Sequence, residues 1–365
     1  MSTPVGDAGG SFPRWQARLT RAPGLQFEAG RRLQAVAPAA PTAGTLRVSY
    51  ITVVRNAAGT VQRTLDSVAA QSWPHVEHIV LDGASTDGTL DILRQRAASL
   101  DYVASAPDAG LYDALNRAVS LAQGDLLCVL NADDWLTPDA AEVAARSYAG
   151  DPSPAPRLLC TAAWVHDGDR RSLWLPERID ASAVLRCANL CHNGVYAHRL
   201  AYQASGPYRT ELRIAADFSW LVQCQRAGVQ FQYLDTPTVH YQLGGMSSDK
   251  QRHTRECLQV LRAQLPELGE DEAWGLMHCF HGFDGNLEAF ASNAPVHRGR
   301  FLQALARSHG DNPFLMQALA LASAHVMVHP ADRTPAGRLS RSEKLRRSLH
   351  KRRQALRALF GKLAR

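Results

Sequence analysis

Two adjacent carboxylates, Asp133 and Asp134, end an apolar run in the stretch VLNADDWLTP, residues 129 to 138. A buried strand that stops at two negative charges allows two readings. The acids cap a helix beginning near Pro138, or they hold a divalent cation against a phosphate. Mg2+ and Mn2+ are hard cations that take oxygen ligands, and Mg2+ keeps several waters, so one or two protein carboxylates suffice. Asn56, Asp82, Asp108 and Asn131 follow apolar stretches in the same way. Turns favour Asp and Asn for local reasons, which explains each residue alone. A ligand explains better why they share one edge. Asp217, in RIAADF, follows small residues and opens an apolar helix that would hold a carboxylate rigidly at a cleft.

The elements between these residues must position them. LRVSYITVV is continuously apolar and β-branched towards its end, which predicts a buried strand. TVQRTLDSVAAQ carries Val61, Leu65 and Val68 at helical spacing. VEHIVLD predicts a second strand, TDGTLDILRQRA a helix with Asp87 as N-cap, and DYVASA a third strand. LYDALNRAVSLA predicts a helix and DLLCVLN a fourth strand. This alternation predicts right-handed β-α-β units and a mainly parallel sheet. In open α/β sheets ligands bind at the carboxyl ends of strands, where these Asp and Asn residues fall. No G-x-G-x-x-G follows the first strand and no G-x-x-x-x-G-K-[ST] occurs. A nucleotide held here would rely on carboxylates and metal rather than on a glycine loop.

Composition bounds the rest. The 365 residues, 45% hydrophobic and 20% charged, predict a soluble globular fold of one large or two ordinary domains. No apolar run approaches the ~18 residues that span a bilayer, and no signal peptide is expected. Seven scattered cysteines suggest reduced thiols in a cytoplasmic protein. Cys187, Cys191 and His192 form a C-x3-C-H cluster without the second half that zinc requires. The net charge of +6 is uneven: residues 338 to 365 carry +10, leaving −4 for the remainder. The basicity belongs to a tail, so nucleic-acid binding by the body is not expected.

ITVVRNAAGTVQRTLDSVAAQSWPHVEHIVLDGASTDGT, PDAGLYDALNRAVSLAQGDLLCVLNADDW and HNGVYAHR with IAADFSWLVQ resemble glycosyltransferase family 2 over about residues 46 to 248. The resemblance implies a GT-A fold, a nucleotide-sugar donor and transfer with inversion at the anomeric carbon. By position, Asp82 resembles the acid that binds the nucleotide base, with Asn56 in the same pocket and Asp108 along the nucleoside. NADD resembles the D-x-D element that binds the metal–diphosphate. Asn131 replaces its first acid, so Asp133 becomes the main ligand for Mg2+ or Mn2+, with Asp134 adjacent. Asp217 resembles the catalytic base. The implied chemistry is coherent: the cation neutralises charge growing on the leaving diphosphate, and a carboxylate within ~3 Å accepts the acceptor hydroxyl's proton.

Other candidates are weaker by residue type. His192 in CHNG suits contact with acceptor or diphosphate, or a strand-end histidine bonded to backbone. His240, after the expected last strand, suits a place in the metal shell. Gly244, Gly245 and Ser247 suit a loop closing over the diphosphate through backbone N–H groups. Trp135 and Trp220 suit either a sugar platform or the core. The expected organisation is a disordered leader at 1–44, a catalytic domain at 45–248, a helical appendage at 249–337 and a basic amphipathic tail helix at 338–365. In that tail Leu345, Leu349, Leu356, Leu359, Phe360 and Leu363 share a face among Arg and Lys, which suits an anionic membrane surface near a glycan or lipid-linked acceptor. Two rivals to a transferase are a nucleotidyltransferase, disfavoured by the missing basic glycine-rich phosphate loop, and a degenerate sugar-nucleotide-binding scaffold, disfavoured by intact Asp133, Asp134 and Asp217. The role implied is in bacterial surface or exported polysaccharide synthesis, on the cytoplasmic side of the membrane.

Overall fold

The computed structural model describes residues 22–34, 45–151, 156–188, 190–244, 249–280 and 298–328, with residues 19 and 153. Its elements run β1 (Phe27–Ala29), β2 (Val48–Val54), α1 (Val61–Ala69), β3 (Val76–Asp82), α2 (Thr89–Arg96), β4 (Tyr102–Ser105), α3 (Leu111–Leu121), β5 (Leu126–Val129), β6 (Trp135–Leu136) and α4 (Ala140–Ala149). They continue with β7 (Arg157–Asp167), β8 (Arg170–Trp174), α5 (Ala183–Arg186), β9 (Val195–His198), α6 (Arg199–Ser205), α7 (Ala216–Arg226) and β10 (Gln230–Gln242). The last four are α8 (Lys250–Gln264), α9 (Glu270–Phe280), α10 (Arg298–Ser308) and α11 (Pro313–Val328). The described residues fall into two compact units: those up to Arg178 together with 190–244, and Ile179–Ala188 together with those from Asp249 onward.

The first unit is built on one mixed sheet of order β1-β4-β3-β2-β5-β9-β7-β10-β6, with β8 paired to β7. β4, β3, β2 and β5 are mutually parallel, as the βαβ alternation predicts. Every residue of β2 is buried, so its continuous VSYITVV run reads as a strand covered on both faces. α1 buries Val61, Thr64, Leu65 and Val68, one face at helical spacing. The chain steps from β2 to β3 to β4, then crosses back to place β5 on the other side of β2. That reversal is a topological switch point, where a crevice opens at the strands' carboxyl ends.

Two expectations change here. Residues 22–34, read as part of a disordered leader, instead supply an edge strand: β1 pairs antiparallel with β4, Phe27 opposite Ser105. Arg31 pairs with Asp101 at 2.9 Å and Arg32 with the buried Glu77. Gly30, at φ +122°, lies so close to Asp101 that a Cβ would stand 2.6 Å from its carbonyl oxygen. A three-residue strand has no periodicity to detect, and its partners lie tens of residues away. The second change is at Ile179–Ala188, which belongs to the helical unit rather than to the catalytic body.

In the helical unit, α8 is capped by Asp249, which accepts from the Arg252 N–H at 3.0 Å. α11 starts with Pro313 behind Asn312, whose side chain accepts from the Leu315 N–H at 2.9 Å. Cys257, Val260, Leu261, Leu276, Met277 and Leu315 are fully buried in it. Residues 281–297 of the expected appendage, most of the leader and the basic tail at 338–365 lie outside the described residues.

Candidate active site

The expected edge residues converge. In register, Val54 faces Asp82 and Asp82 faces Ser105, so the ends of β2, β3 and β4 are level. Asp82 is buried; it accepts from the Ser105 hydroxyl at 2.6 Å and the Ser85 N–H at 3.0 Å. Asn56 sits beyond β2 at φ 52°, and its Oδ1 accepts from the Thr86 N–H at 2.8 Å. Asp108 accepts from the Gly110 N–H at 2.9 Å and shares a small pocket with Asp82, Leu81, Ala106 and Arg117. Gly83 makes this approach possible, since a Cβ there would stand 2.5 Å from Asp108 Oδ2. Leu19, Ala104 and Ala114 complete its lining, so two carboxylates and one guanidinium meet among small apolar side chains.

The two acids of NADD differ in environment. Neither caps a helix: β6 follows at once, and Asp139 precedes α4. Asp133 is half-buried and its carboxylate has no hydrogen-bond or ion-pair partner among the described residues. Asp134 is fully buried. Its Oδ1 accepts from the Gln242 N–H at 2.7 Å, and its Oδ2 accepts from the Asn193 amide and, at 3.5 Å, from Asn131. Burial first, then the charge of Asp133, push its pKa up to about 8, against these bonds and Arg63. Both oxygens being engaged away from solvent, Asp134 ties together the NADD loop, the CHNG turn and the end of β10. This departs from the expectation that Asp134 binds metal or donor.

His240 also departs from its expected place. It lies within β10 rather than after it, and its Nδ1 is hydrogen-bonded to His166 Nε2 at 2.9 Å. The ring stacks on Trp135 at 4.9 Å and 5°, and the Arg63 guanidinium covers the same indole at 3.6 Å. Arg63 also donates to the Asp133 carbonyl at 2.8 Å, fixing the loop from α1. Among the described residues, no group of three or more His, Cys, Asp or Glu is arranged to hold a metal. The donor set therefore fits a cation of one kind: one held mainly by phosphate oxygens and water, with Asp133 as its protein carboxylate. All seven cysteines are buried free thiols.

Asp217 opens α7, half-buried, with Oδ1 accepting from the Phe218 N–H at 2.7 Å. His192 lies in a short 3-10 turn before β9, and its Nε2 meets the Tyr208 hydroxyl at 3.0 Å. Burial lowers its pKa, and the Asp217 charge raises it by a smaller amount. His192 Nδ1 is buried without a hydrogen-bond partner among the described residues. Trp220 is wholly buried, stacked on Tyr202 at 4.5 Å, so it is core rather than a sugar platform. Gly244 ends the described part of its loop at φ +115°; Gly245 and Ser247 lie outside the described residues. The contributions of Asn193, Arg63 and His166 were missed by reading the sequence. Of these only Asn193 carried a signal, its place beside His192.

Comparison with known proteins bears on the family and the fold. Residues 49–186 match the family described as glycosyl transferase family 2. A PGL/p-HBAD biosynthesis glycosyltransferase of Mycobacterium bovis is 29% identical over 205 residues, covering 55% of this chain and 78% of the relative. An uncharacterized glycosyltransferase of Mycobacterium tuberculosis is 40% identical over 105 residues, 28% of this chain and 40% of the relative. Among solved structures, S. aureus TarS 1–349 in complex with UDP-GlcNAc aligns with a TM-score of 0.51 at 17% identity, covering 64% of this chain and 71% of that one. That likeness shows a shared GT-A-like fold.

Proposed function

From a chain that belongs to glycosyl transferase family 2 and is a glycosyltransferase, we propose an inverting transfer of a sugar from a nucleotide-sugar donor to a hydroxyl of a glycan or lipid-linked acceptor. The observation that carries this reading is the split of carboxylates between two places. Asp82 and Asp108 line a pocket on the parallel strand edge, Asp133 stands unpartnered at the same edge, and Asp217 opens a separate helix.

In this reading the base sits against Asp82 and Asp108, with Asn56 at the pocket's rim. The diphosphate lies along the NADD loop, where Asp133 would hold Mg2+ or Mn2+. When bound, the cation supplies charge neutralisation for the departing nucleoside diphosphate. Asp217 Oδ2, the oxygen not bonded to Phe218, takes the acceptor proton as the acceptor oxygen bonds to the anomeric carbon. The bond from that carbon to the diphosphate oxygen breaks, and the leaving group keeps its electrons. Attack opposite the leaving group inverts the centre. His192, kept neutral by burial, is fixed through Nε2 to the Tyr208 hydroxyl and serves as a positioning residue for this wall of the site.

A role in bacterial surface or exported polysaccharide synthesis goes with this reading, supported by the mycobacterial relatives' glycosyltransferase names. Attachment to an anionic membrane rests on the sequence of residues 338–365 alone. No helix among the described residues is long and apolar enough to cross a membrane. The test is release of nucleoside diphosphate from a panel of nucleotide sugars, with Mn2+ and with EDTA. Donor-dependent release identifies the transferase; nucleotide binding without turnover of any donor, with acceptor extracts present, points to the scaffold instead.

A further inference from the structure

The edge of the sheet farthest from β3 and β4 gathers aromatic and basic side chains on one face. Residues opposite one another on neighbouring strands share a face, as do alternate residues along a strand. Trp135 on β6 is opposite His240 on β10, which is opposite Trp164 on β7. His166, two residues beyond Trp164, is opposite Arg171 on β8. One face of β6-β10-β7-β8 therefore presents Trp135, His240, Trp164, His166 and Arg171 together. Its other face is core, with Leu136, Val239 and Ala163 buried.

The rings are not packed away. All four are half-buried and Arg171 is exposed. Trp135 and His240 stack face to face, His166 tilts against both, and a guanidinium lies over each indole. Arg63 lies over Trp135 at 3.6 Å and Arg171 over Trp164 at 4.3 Å. Two guanidiniums lie beside the rings as donors, and because His166 and His240 share one hydrogen bond, one of their two remaining nitrogens carries an N–H in the neutral pair. Among the described residues neither Arg63 nor Arg171 is paired with a carboxylate. Burial first, then Arg171 and Arg63, depress His166; for His240 the order is burial, His166, Arg171 and Arg63. The local field is therefore positive, and what it lacks is an anion.

The position restricts which anion. The ledge begins two residues after Asp133 and continues away from the nucleotide pocket to β8. Its face is also that of Cys160, raised by burial and then by the Cys224 thiol of α7, the helix whose first turn carries Asp217. A group held there stands beside the NADD loop, because Arg63 covers Trp135 and donates to the Asp133 carbonyl. We propose that this ledge holds a phosphate carried by the saccharide acceptor, with Arg171 and Trp164 as its specificity-determining contacts. The proposal rests on the transferase reading above and names the acceptor class of that site. Phosphate suits a planar guanidinium beside ring N–H donors, because each of its oxygens accepts several hydrogen bonds.

The experiment uses the full chain with 15N-labelled tryptophan, the Trp135 and Trp164 indole signals being assigned through Trp135→Phe and Trp164→Phe. The probes are glucose, glucose 1-phosphate, inorganic phosphate, and UDP with Mg2+. Glucose 1-phosphate and inorganic phosphate should move both signals, and glucose should not. Arg171→Gln should weaken glucose 1-phosphate at least fivefold and leave UDP affinity unchanged, with Arg171→Lys recovering part. Arg171 is exposed, so circular dichroism of these variants should match the parent. Saturation with UDP and Mg2+ should leave the sugar-phosphate titration in place. The proposal is overturned if phosphate probes at millimolar concentration leave the Trp164 signal unmoved. It is equally overturned if UDP competes with them, since the ledge then serves the donor's own diphosphate. Sugar-phosphate binding in a chain that binds no nucleotide would keep the ledge and remove the donor reading.

Discussion

Asp133 and Asp134 are adjacent, but their surroundings assign them different work. The Asp133 carboxylate has no hydrogen-bond or ion-pair partner among the described residues, which suits the proposed cation; Asp134 accepts from groups 59 and 108 residues away in the chain. Asp133→Ala should leave the melting temperature unchanged and remove most of the Mg2+ or Mn2+ enhancement of nucleoside diphosphate binding, read by calorimetry against EDTA. Asp134→Ala should do the reverse of the first part. It strands the Gln242 N–H and the Asn193 amide in the interior, at about 1–3 kcal/mol for each unsatisfied group, and the loss appears in a thermal melt. A melt of Asp134→Ala indistinguishable from the parent would refute the architectural role. Asp217→Asn should lower turnover by about 10²–10⁴, the usual contribution of general acid–base catalysis, with donor affinity retained. The edge residues were legible in the sequence because each follows an apolar strand. The contrast between Asp133 and Asp134 was not, because burial of a side chain depends on what distant segments bring to it.

At the scale of elements, legibility followed length and period. The alternation from β2 to β5 is readable because each strand is an apolar run and each helix shows one buried face. β1 and β6, of three and two residues, leave no such trace. β10 was read too short, since the bulges around Pro237 interrupt its pattern and His240 seemed to lie beyond it. Helix packing in the second unit offers a test of the same kind. Gly275, in α9, sits against Phe301 of α10, and a Cβ there would stand 2.4 Å from the ring's Cζ. Alanine improves helix propensity by roughly 1 kcal/mol, but overpacking costs about 1–3 kcal/mol. Gly275→Ala should therefore destabilise on balance in urea, and adding Phe301→Leu should recover much of the loss. If Gly275→Ala stabilises the chain, the ring moves aside freely and the contact is not a constraint.

At the scale of the whole molecule, stability is coupled to pH by histidines that burial depresses, and among them His78 is shifted further than His240. His78, on β3, is 4% exposed, with Nε2 3.1 Å from the Thr52 hydroxyl. Burial first, and then the Arg31 charge, lower its pKa to about 3. An unfolded chain returns it to an ordinary value of about 6.5. Between those two values the unfolded state binds the extra proton, so stability rises with pH; it is fully present above about 6.5 and is lost as pH falls towards the folded value. The limiting slope for one such group is about 1.4 kcal/mol per pH unit. Stability measured in urea should therefore fall from pH 6.5 to pH 5, a window above the range in which most carboxylates titrate. Arg31 lies in the segment that anchors β1, so this pH response also reports on the short edge strand that the sequence concealed. His78→Gln keeps a partner for Thr52 and removes the titration, and its stability should be flatter across that window. Parallel curves for the parent and His78→Gln would assign the dependence to another group.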